Sequence, residues 1–127
     1  MKDSDLLYKL RELKIEDSIW IIYMGIIALS WYSNDLERKY FLNNDIKSKK
    51  DYQKIIILIF SILIVVYTYF LKDSFDELQN LKSTDSKKKK ELTSLSFMGS
   101  LLIAVSGFVF LYIAIVDDDI DVEIAFN

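Results

Sequence analysis

Three stretches of this chain contain no charged side chain, although charged residues make up 28% of the whole. They cover residues 18–34, 55–71 and 92–116. A bilayer core of about 30 Å takes about 20 apolar residues of helix, and about 17 is the practical minimum. The third stretch exceeds that length, and the first two just meet it. All three are apolar all round, whereas a helix of a soluble bundle would carry a polar face.

The sequence therefore predicts an all-α integral membrane protein, a helical bundle with three transmembrane helices in a single domain, 1–127. We expect the spans at 18–34, 55–71 and 94–116, the second with a helical extension to about residue 82. Aromatic residues with polar edges favour the headgroup level of a bilayer. Residues of this kind mark the ends of the runs: Trp20, Tyr23, Trp31, Tyr32, Tyr67, Tyr69 and Tyr112.

A short amphipathic helix is predicted before the first span, at 4–14, because Leu6, Leu10 and Leu13 repeat at helical spacing. The extension of the second span carries a comparable apolar stripe. Both segments lie on the same side of the membrane, so we expect them to pack together. The basic residues of the first would then face acidic residues of the second, with Lys9, Arg11 and Lys14 opposite Asp73, Asp76 and Glu77.

Basic residues predict the orientation, since they accumulate in cytoplasmic segments. The N-terminal segment and second connection together hold ten, against six in the first connection and none in the tail. This places the protein in the cell membrane with the N-terminus in the cytoplasm and the C-terminus outside. Four lysines that open the third helix either set this topology or bind anionic lipid headgroups: Lys87, Lys88, Lys89 and Lys90.

Small residues make one face of the third helix suitable for close packing. Ser96, Ser100 and Ala104 recur every four residues, and Gly99 and Gly107 lie beside them. Such faces allow two helix backbones to approach closely in a membrane. Two interpretations stay open: packing within the chain against the small residues of the first helix, Gly25 and Ala28, or self-association between chains.

The tail, 117–127, is acidic through Asp117, Asp118, Asp119, Asp121 and Glu123. It resembles the start of a calcium loop but lacks the glycine and the final glutamate that such a loop needs. We expect a solvated tail that binds a basic partner or docks on the protein's own surface.

Residue types missing from the sequence restrict the chemistry. The chain has no cysteine and no histidine, and its three glycines cannot form a phosphate-binding loop. Its charge-free runs contain no ionisable group, which argues against an ion-coupled transporter. Its net charge of −3 argues against nucleic-acid binding. We predict a protein that is not an enzyme, with no cofactor, no metal and no evident small-molecule substrate.

Three segments carry a resemblance to known proteins: LKIEDSIWIIY at 13–23, SNDLERKYF at 33–41, and SFMGSLLIAVSGFVFLYIAIVDDDIDVEIAFN at 96–127. They resemble small, uncharacterised three-helix membrane proteins of low-GC, clostridial-type bacteria. The resemblance implies a three-helix membrane protein and no particular activity, so no functional residue is carried over from it.

Three classes of function fit these features. The first is a non-catalytic scaffold, an accessory subunit or a self-associating membrane protein, whose partners are the lipid bilayer and either a second copy or another membrane protein. The second is a pore-forming, holin-like protein, although holins commonly end in a basic tail. The third is a membrane immunity protein. Induced expression of a pore former should collapse the membrane potential, whereas the other two classes should leave it intact.

Overall fold

The chain forms three α-helices in a computed structural model that describes residues 3–120. Helix α1 covers Asp3–Asn43, α2 covers Ile46–Gln79 and α3 covers Lys87–Val116. The all-α prediction is confirmed. Helix α3 ends at the predicted residue, whereas α2 ends at Gln79, three residues short of the predicted extension, where Asn80 caps it.

The last residue of each connection between helices caps the next helix. Asn44 adopts a left-handed backbone with φ of 53° and so reverses the chain after α1. Asp45 caps α2: its carboxylate accepts hydrogen bonds from the backbone N–H groups of Lys47 and Ser48 at 3.1 and 3.4 Å. Ser86 caps α3 by accepting from the backbone N–H of Lys89 at 3.1 Å. Each cap contributes about 1 kcal/mol to helix stability.

Helix α2 lies between the other two. Helices α1 and α3 both pack on α2, and within residues 3–120 they do not pack on each other. The buried cluster reflects this arrangement, because most of its members belong to α2. Its buried members are Ile26, Leu36, Tyr52, Ile56, Ile59, Phe60, Leu63 and Ala114. The molecule is thus an open row of three antiparallel helices.

The residues that α3 turns toward α2 alternate at spacings of three and four. They are the buried or half-buried Phe97, Ser100, Ala104, Gly107, Leu111 and Ala114. This 3–4 spacing is typical of helices that cross at a shallow angle, as in left-handed coiled coils. Phe97 meets Phe75 of α2 with ring centroids 5.8 Å apart.

The predicted N-terminal helix at 4–14 is not a separate element. Helix α1 continues from it without a break, because no glycine or proline lies between Lys14 and Ser18. The side of α1 that packs against α2 is therefore set by the residues that α1 buries further along, such as Ile19 and Ile26. Continued back at 3–4 spacing, this row reaches Glu16 and Glu12, both half-buried. The stripe of Leu6, Leu10 and Leu13 consequently points away from α2, with each side chain about half exposed.

Two of the three helices, α2 and α3, are long and apolar enough to cross a membrane. Helix α1 falls short by hydropathy. Its charge-free run holds two tryptophans, two tyrosines, three serines and one asparagine among 17 residues. The outer faces of the helices are nonetheless apolar, and most of α3 is exposed through residues such as Leu102, Phe108 and Tyr112.

A close contact between α2 and α3 depends on Gly107. A Cβ atom built on this glycine would lie 3.0 Å from Cδ2 of Tyr67 and 3.4 Å from Cγ1 of Ile64. The small residue thus forms a hole for a large aromatic side chain. Of the two interpretations of the α3 small face, the structure does not support packing against Gly25 and Ala28, since α1 and α3 do not meet among the described residues and both of these residues are exposed.

Replacing Gly107 by leucine should therefore loosen the α2–α3 pair. Overpacking a close contact costs about 1–3 kcal/mol, so we expect Gly107→Leu to lower the midpoint of thermal unfolding in detergent, followed by circular dichroism at 222 nm. Gly25→Leu is the matched control, because a Cβ at Gly25 meets nothing within 4 Å. Equal midpoints for the two variants would contradict this account of the packing.

Candidate functional site

A cavity of about 360 Å³ is lined by residues of all three helices. Its position follows from the open row, because α1 and α3 stand on either side of α2 without closing over it. Tyr23 contributes from α1, Tyr67 and Phe70 from α2, and Ile103 from α3. These four residues all belong to charge-free runs and form the apolar and aromatic part of the wall.

Acidic and hydroxyl side chains line the rest of the cavity. Asp73, Ser74 and Glu77 follow the charge-free run of α2, and Ser96 and Ser100 belong to the first turns of the α3 run. Because α2 and α3 are antiparallel, these two sets lie side by side at the same end of the cavity. The wall therefore changes along the helix axes from apolar to acidic, and the acidic end lies on the side of the N-terminus.

The carboxyl group of Asp73 on α2 lies beside that of Glu12 on α1. A hydrogen bond between two carboxyl groups requires that one of them carries a proton. Burial between the helices raises the pKa of Asp73 to about 7, and the hydrogen bond and negative charge of Glu12 act in the same direction. Glu77 and Glu16 add smaller contributions of the same sign. Asp73 thus holds its proton up to neutral pH.

The predicted pairing of opposite charges between the N-terminal segment and α2 takes a different form. Arg11 and Lys72 line a smaller cleft of about 200 Å³ between α1 and α2, next to Tyr8, Glu12 and Asp76. In the part of the chain that the structure describes, no ion pair joins these two segments. The contact between them is the pair of carboxyl groups, because the 3–4 row of α1 presents Glu12 to α2.

The small face of α3 is divided between three environments. Ala104 and Gly107 are buried against α2, and Ser100 and Ser96 line the cavity. Gly99 lies on another side of the helix, where a Cβ would meet nothing within 4 Å. The residues predicted to form one packing face therefore lie on different sides of α3. The contact with α2 follows alternating spacings of three and four residues, whereas the prediction follows a constant spacing of four.

Two of the four lysines that open α3 have contacts with the connection before it. The ammonium group of Lys89 lies 3.3 Å from a carboxylate oxygen of Asp85, and that of Lys90 donates to the Ser83 carbonyl at 3.1 Å. Lys87 and Lys88 are exposed. The backbone N–H of Lys82 also donates to Asp85, and this bond, with the lysines nearby, holds the pKa of that carboxyl below its usual value.

The first residues of the acidic tail dock on the start of α2. The ammonium group of Lys49 lies 2.9 Å from a carboxylate oxygen of Asp119 and 5.5 Å from the ring centre of Tyr40. Gln53 donates to the carbonyl of Ala114 at 3.2 Å. These contacts support docking on the protein's own surface for the described part of the tail. Two further residues of the predicted acidic tail, Asp121 and Glu123, lie outside the described residues.

The acidic residues of the structure do not form a metal site. Among residues 3–120, no group of three or more acidic side chains is arranged to hold a metal ion. Comparisons of the chain with protein families, with curated proteins and with solved structures find no match.

The cavity was missed in the sequence because its residues come from three separate helices. One signal was present. Glu12 and Glu16 continue the row of Ile19, Tyr23 and Ile26 at spacings of three and four, which places both carboxylates on the packed face. The apolar stripe of leucines nearby is more conspicuous, and it predicts that the other side of α1 packs against α2.

The protonated state of Asp73 predicts a dependence of stability on pH. Its pKa is about 7 in the folded protein and about 3.9 in an unfolded chain. Between these values the folded state binds the proton and the unfolded state does not, so stability falls as the pH rises from about 4 to 7. We expect a lower unfolding midpoint at pH 8 than at pH 5 in detergent, and Asp73→Asn should reduce the difference.

Asp51→Asn is the control for this measurement, because Asp51 lies near the opposite end of α2, away from the cavity. It should keep the pH dependence of the wild type. A difference between pH 5 and pH 8 that is the same in all three proteins would show that Asp73 is not its source.

Proposed function

We propose that the chain spans the membrane three times. The supporting observation is the depth of α1. Ile26, near the middle of its charge-free run, belongs to the same buried cluster as Ile59 and Leu63, near the middle of the run in α2. A helix that packs along a spanning helix at the same level lies in the bilayer with it. The aromatic residues that lower the hydropathy of α1 lie near the two ends of the run, at the level of the headgroups.

The role that the geometry supports best is a non-catalytic one, as a self-associating scaffold or an accessory subunit of a membrane assembly. The observation that carries it is the contrast between the two glycines of α3. The space beside Gly107 is filled by Tyr67 of the same chain, whereas the space beside Gly99 is open on the outer surface of the helix. Close approach at an open glycine favours contact with another membrane helix.

The surroundings of Gly99 suit such a contact. Leu95 and Leu102 lie one turn before and after it on the helix, and Met98 lies beside it; all three are more than half exposed. A partner helix would find a shallow hole bordered by large apolar side chains. We propose a second copy of the chain as the partner, with another membrane protein as the alternative occupant.

The proposed orientation places the N-terminus, the 80–86 connection and the acidic end of the cavity in the cytoplasm. The excess of basic residues on that side supports it. Asn44, Lys49 and Asp119 would lie outside, where the tail docks beside the start of α2.

Self-association through Gly99 can be tested by crosslinking, because the chain has no cysteine of its own. We expect Gly99→Cys to form a disulfide-linked dimer in membranes under mild oxidation, detected by non-reducing electrophoresis. Ala104→Cys is the matched control on the same helix: Ala104 is 4% exposed and packs toward α2, so it should stay monomeric.

Two outcomes would count against the proposed contact. One is a Gly99→Cys protein that stays monomeric although a maleimide reagent labels it. The other is an association, measured by sedimentation in detergent, that survives Gly99→Leu unchanged. Membrane depolarisation on induction would favour the pore-forming class instead.

The three spans can be tested by labelling single cysteines with a reagent that does not cross membranes. Ser4, Lys50 and Thr84 are exposed and lie in the first turn of α1, near the start of α2 and between α2 and α3. We expect Lys50→Cys to react in intact cells, and Ser4→Cys and Thr84→Cys only after permeabilisation. Residues 4 and 50 on the same side would show that α1 does not span.

A further inference from the structure

The central cavity has a graded wall that matches an amphiphilic molecule. Along α2 it passes from Tyr67 through Phe70 to Asp73 and Glu77, and along α3 it passes from Ile103 to Ser100 and Ser96. Both helices thus change from apolar to polar in the same direction. A volume of about 360 Å³ is in the range of small-molecule sites.

The charge of the wall is of one sign. Two of its nine residues are carboxylic acids, six others carry a hydroxyl group or an uncharged aromatic ring, and none is basic. Lys72, the cation nearest in sequence, lines the clefts on the other sides of α2 instead. Tyr23, Tyr67 and Phe70 add aromatic faces, which attract cations. An anion would find hydroxyl donors here but also two carboxyl groups and no basic residue, whereas an ammonium group would find carboxylate acceptors, hydroxyl oxygens and aromatic rings.

We propose that this cavity binds a primary ammonium group attached to an apolar chain, with the ammonium between Asp73 and Glu77 and the chain against Phe70 and Ile103. The cavity is accessible because α1 and α3 do not close over α2, so such a molecule can enter sideways between them. The ligand is either a membrane lipid with an aminoethyl headgroup or a free amphiphilic amine. Both share the same chemistry.

The proton on Asp73 makes this binding dependent on pH. Asp73 faces Glu12 and Glu16 from α1 and Glu77 from its own helix, while α3 contributes only the hydroxyls of Ser96 and Ser100. Asp73 also lines the cleft between α1 and α2, together with Tyr8 and Asp76 and with the basic side chains of Arg11 and Lys72. An ammonium group favours the ionised carboxylate and competes with the proton. Affinity should therefore rise several-fold between pH 6 and pH 8.

The test uses the full chain in detergent, with n-hexylammonium as the cationic probe and n-hexanol as the neutral probe of equal chain length. We expect saturable binding of hexylammonium by titration calorimetry, and no saturable binding of hexanol. The double variant Asp73→Asn, Glu77→Gln should weaken hexylammonium binding by about tenfold or more, because it removes both charged acceptors. Asp76→Asn, a carboxylate of the same helix that lines the cleft on the other side, should keep the wild-type affinity.

A second variant guards against loss of folding in the first. Ser100→Leu narrows the cavity without changing its charge and should also weaken binding, with the helical circular dichroism of the wild type. Failure of folded wild-type protein to bind hexylammonium, or equal affinity in the wild type and in both cavity variants, would overturn the proposal. Neither result depends on the number of spans or on self-association, so the site and the proposed function can fail independently.

The source of the ligand is decided by native mass spectrometry of protein taken from nanodiscs that contain equal amounts of phosphatidylethanolamine and phosphatidylglycerol. Retention of phosphatidylethanolamine by the wild type and its loss in the double variant would support a lipid ligand. Hexylammonium binding without retained phosphatidylethanolamine would support a free amine. Preferential retention of phosphatidylglycerol in the cavity would contradict the proposed preference for a cation.

Discussion

Helix α2 is the element on which the other two depend, because each of them packs on it and neither packs on the other. Lipid chains are as apolar as leucine, so association between helices in a bilayer depends on shape and close contact rather than on hydrophobic burial. The fit of Tyr67 over Gly107 is such a contact. On the other side, Ile26 and Leu36 of α1 complete the buried cluster. A helix with bulky side chains on both faces thus serves two partners at once.

The same arrangement brings like charges together. Once Ile19 and Ile26 fix how α1 faces α2, Glu12 faces Asp73, and burial together with the charge of Glu12 raises the pKa of Asp73 to about 7. Arg11 and Lys72 line the neighbouring cleft, which shares Asp73 with the cavity, and no basic residue lines the cavity itself. Local departures from favourable charge pairing are expected at functional sites more often than elsewhere. This is why the acidic cavity, rather than the lysine run or the tail, is the most informative polar feature.

Much of the fold could be predicted from the sequence, because charge-free length and turn residues are local properties. The end of α3 at Val116 and the turn at Asn44 and Asp45 follow directly from the residues. Which side of a helix packs against its neighbour is not a local property. Leu6, Leu10 and Leu13 form a regular apolar stripe, yet the rest of α1 decides which way they point. The cavity depends on which side each of the three helices turns toward the others, so no single segment of the sequence indicates it.

The ion pair between Lys49 and Asp119 joins residues that are 70 positions apart. Helices α2 and α3 are thus joined at one end by the 80–86 connection, which is covalent, and at the other end by this ion pair. Asp119 can reach Lys49 only when α3 has placed its last turn level with the first turns of α2. The contact therefore holds α2 and α3 in register at the end of the pair that lies opposite the 80–86 connection. Without Asp119, the register at this end would depend on side-chain packing and on the hydrogen bonds of Gln53.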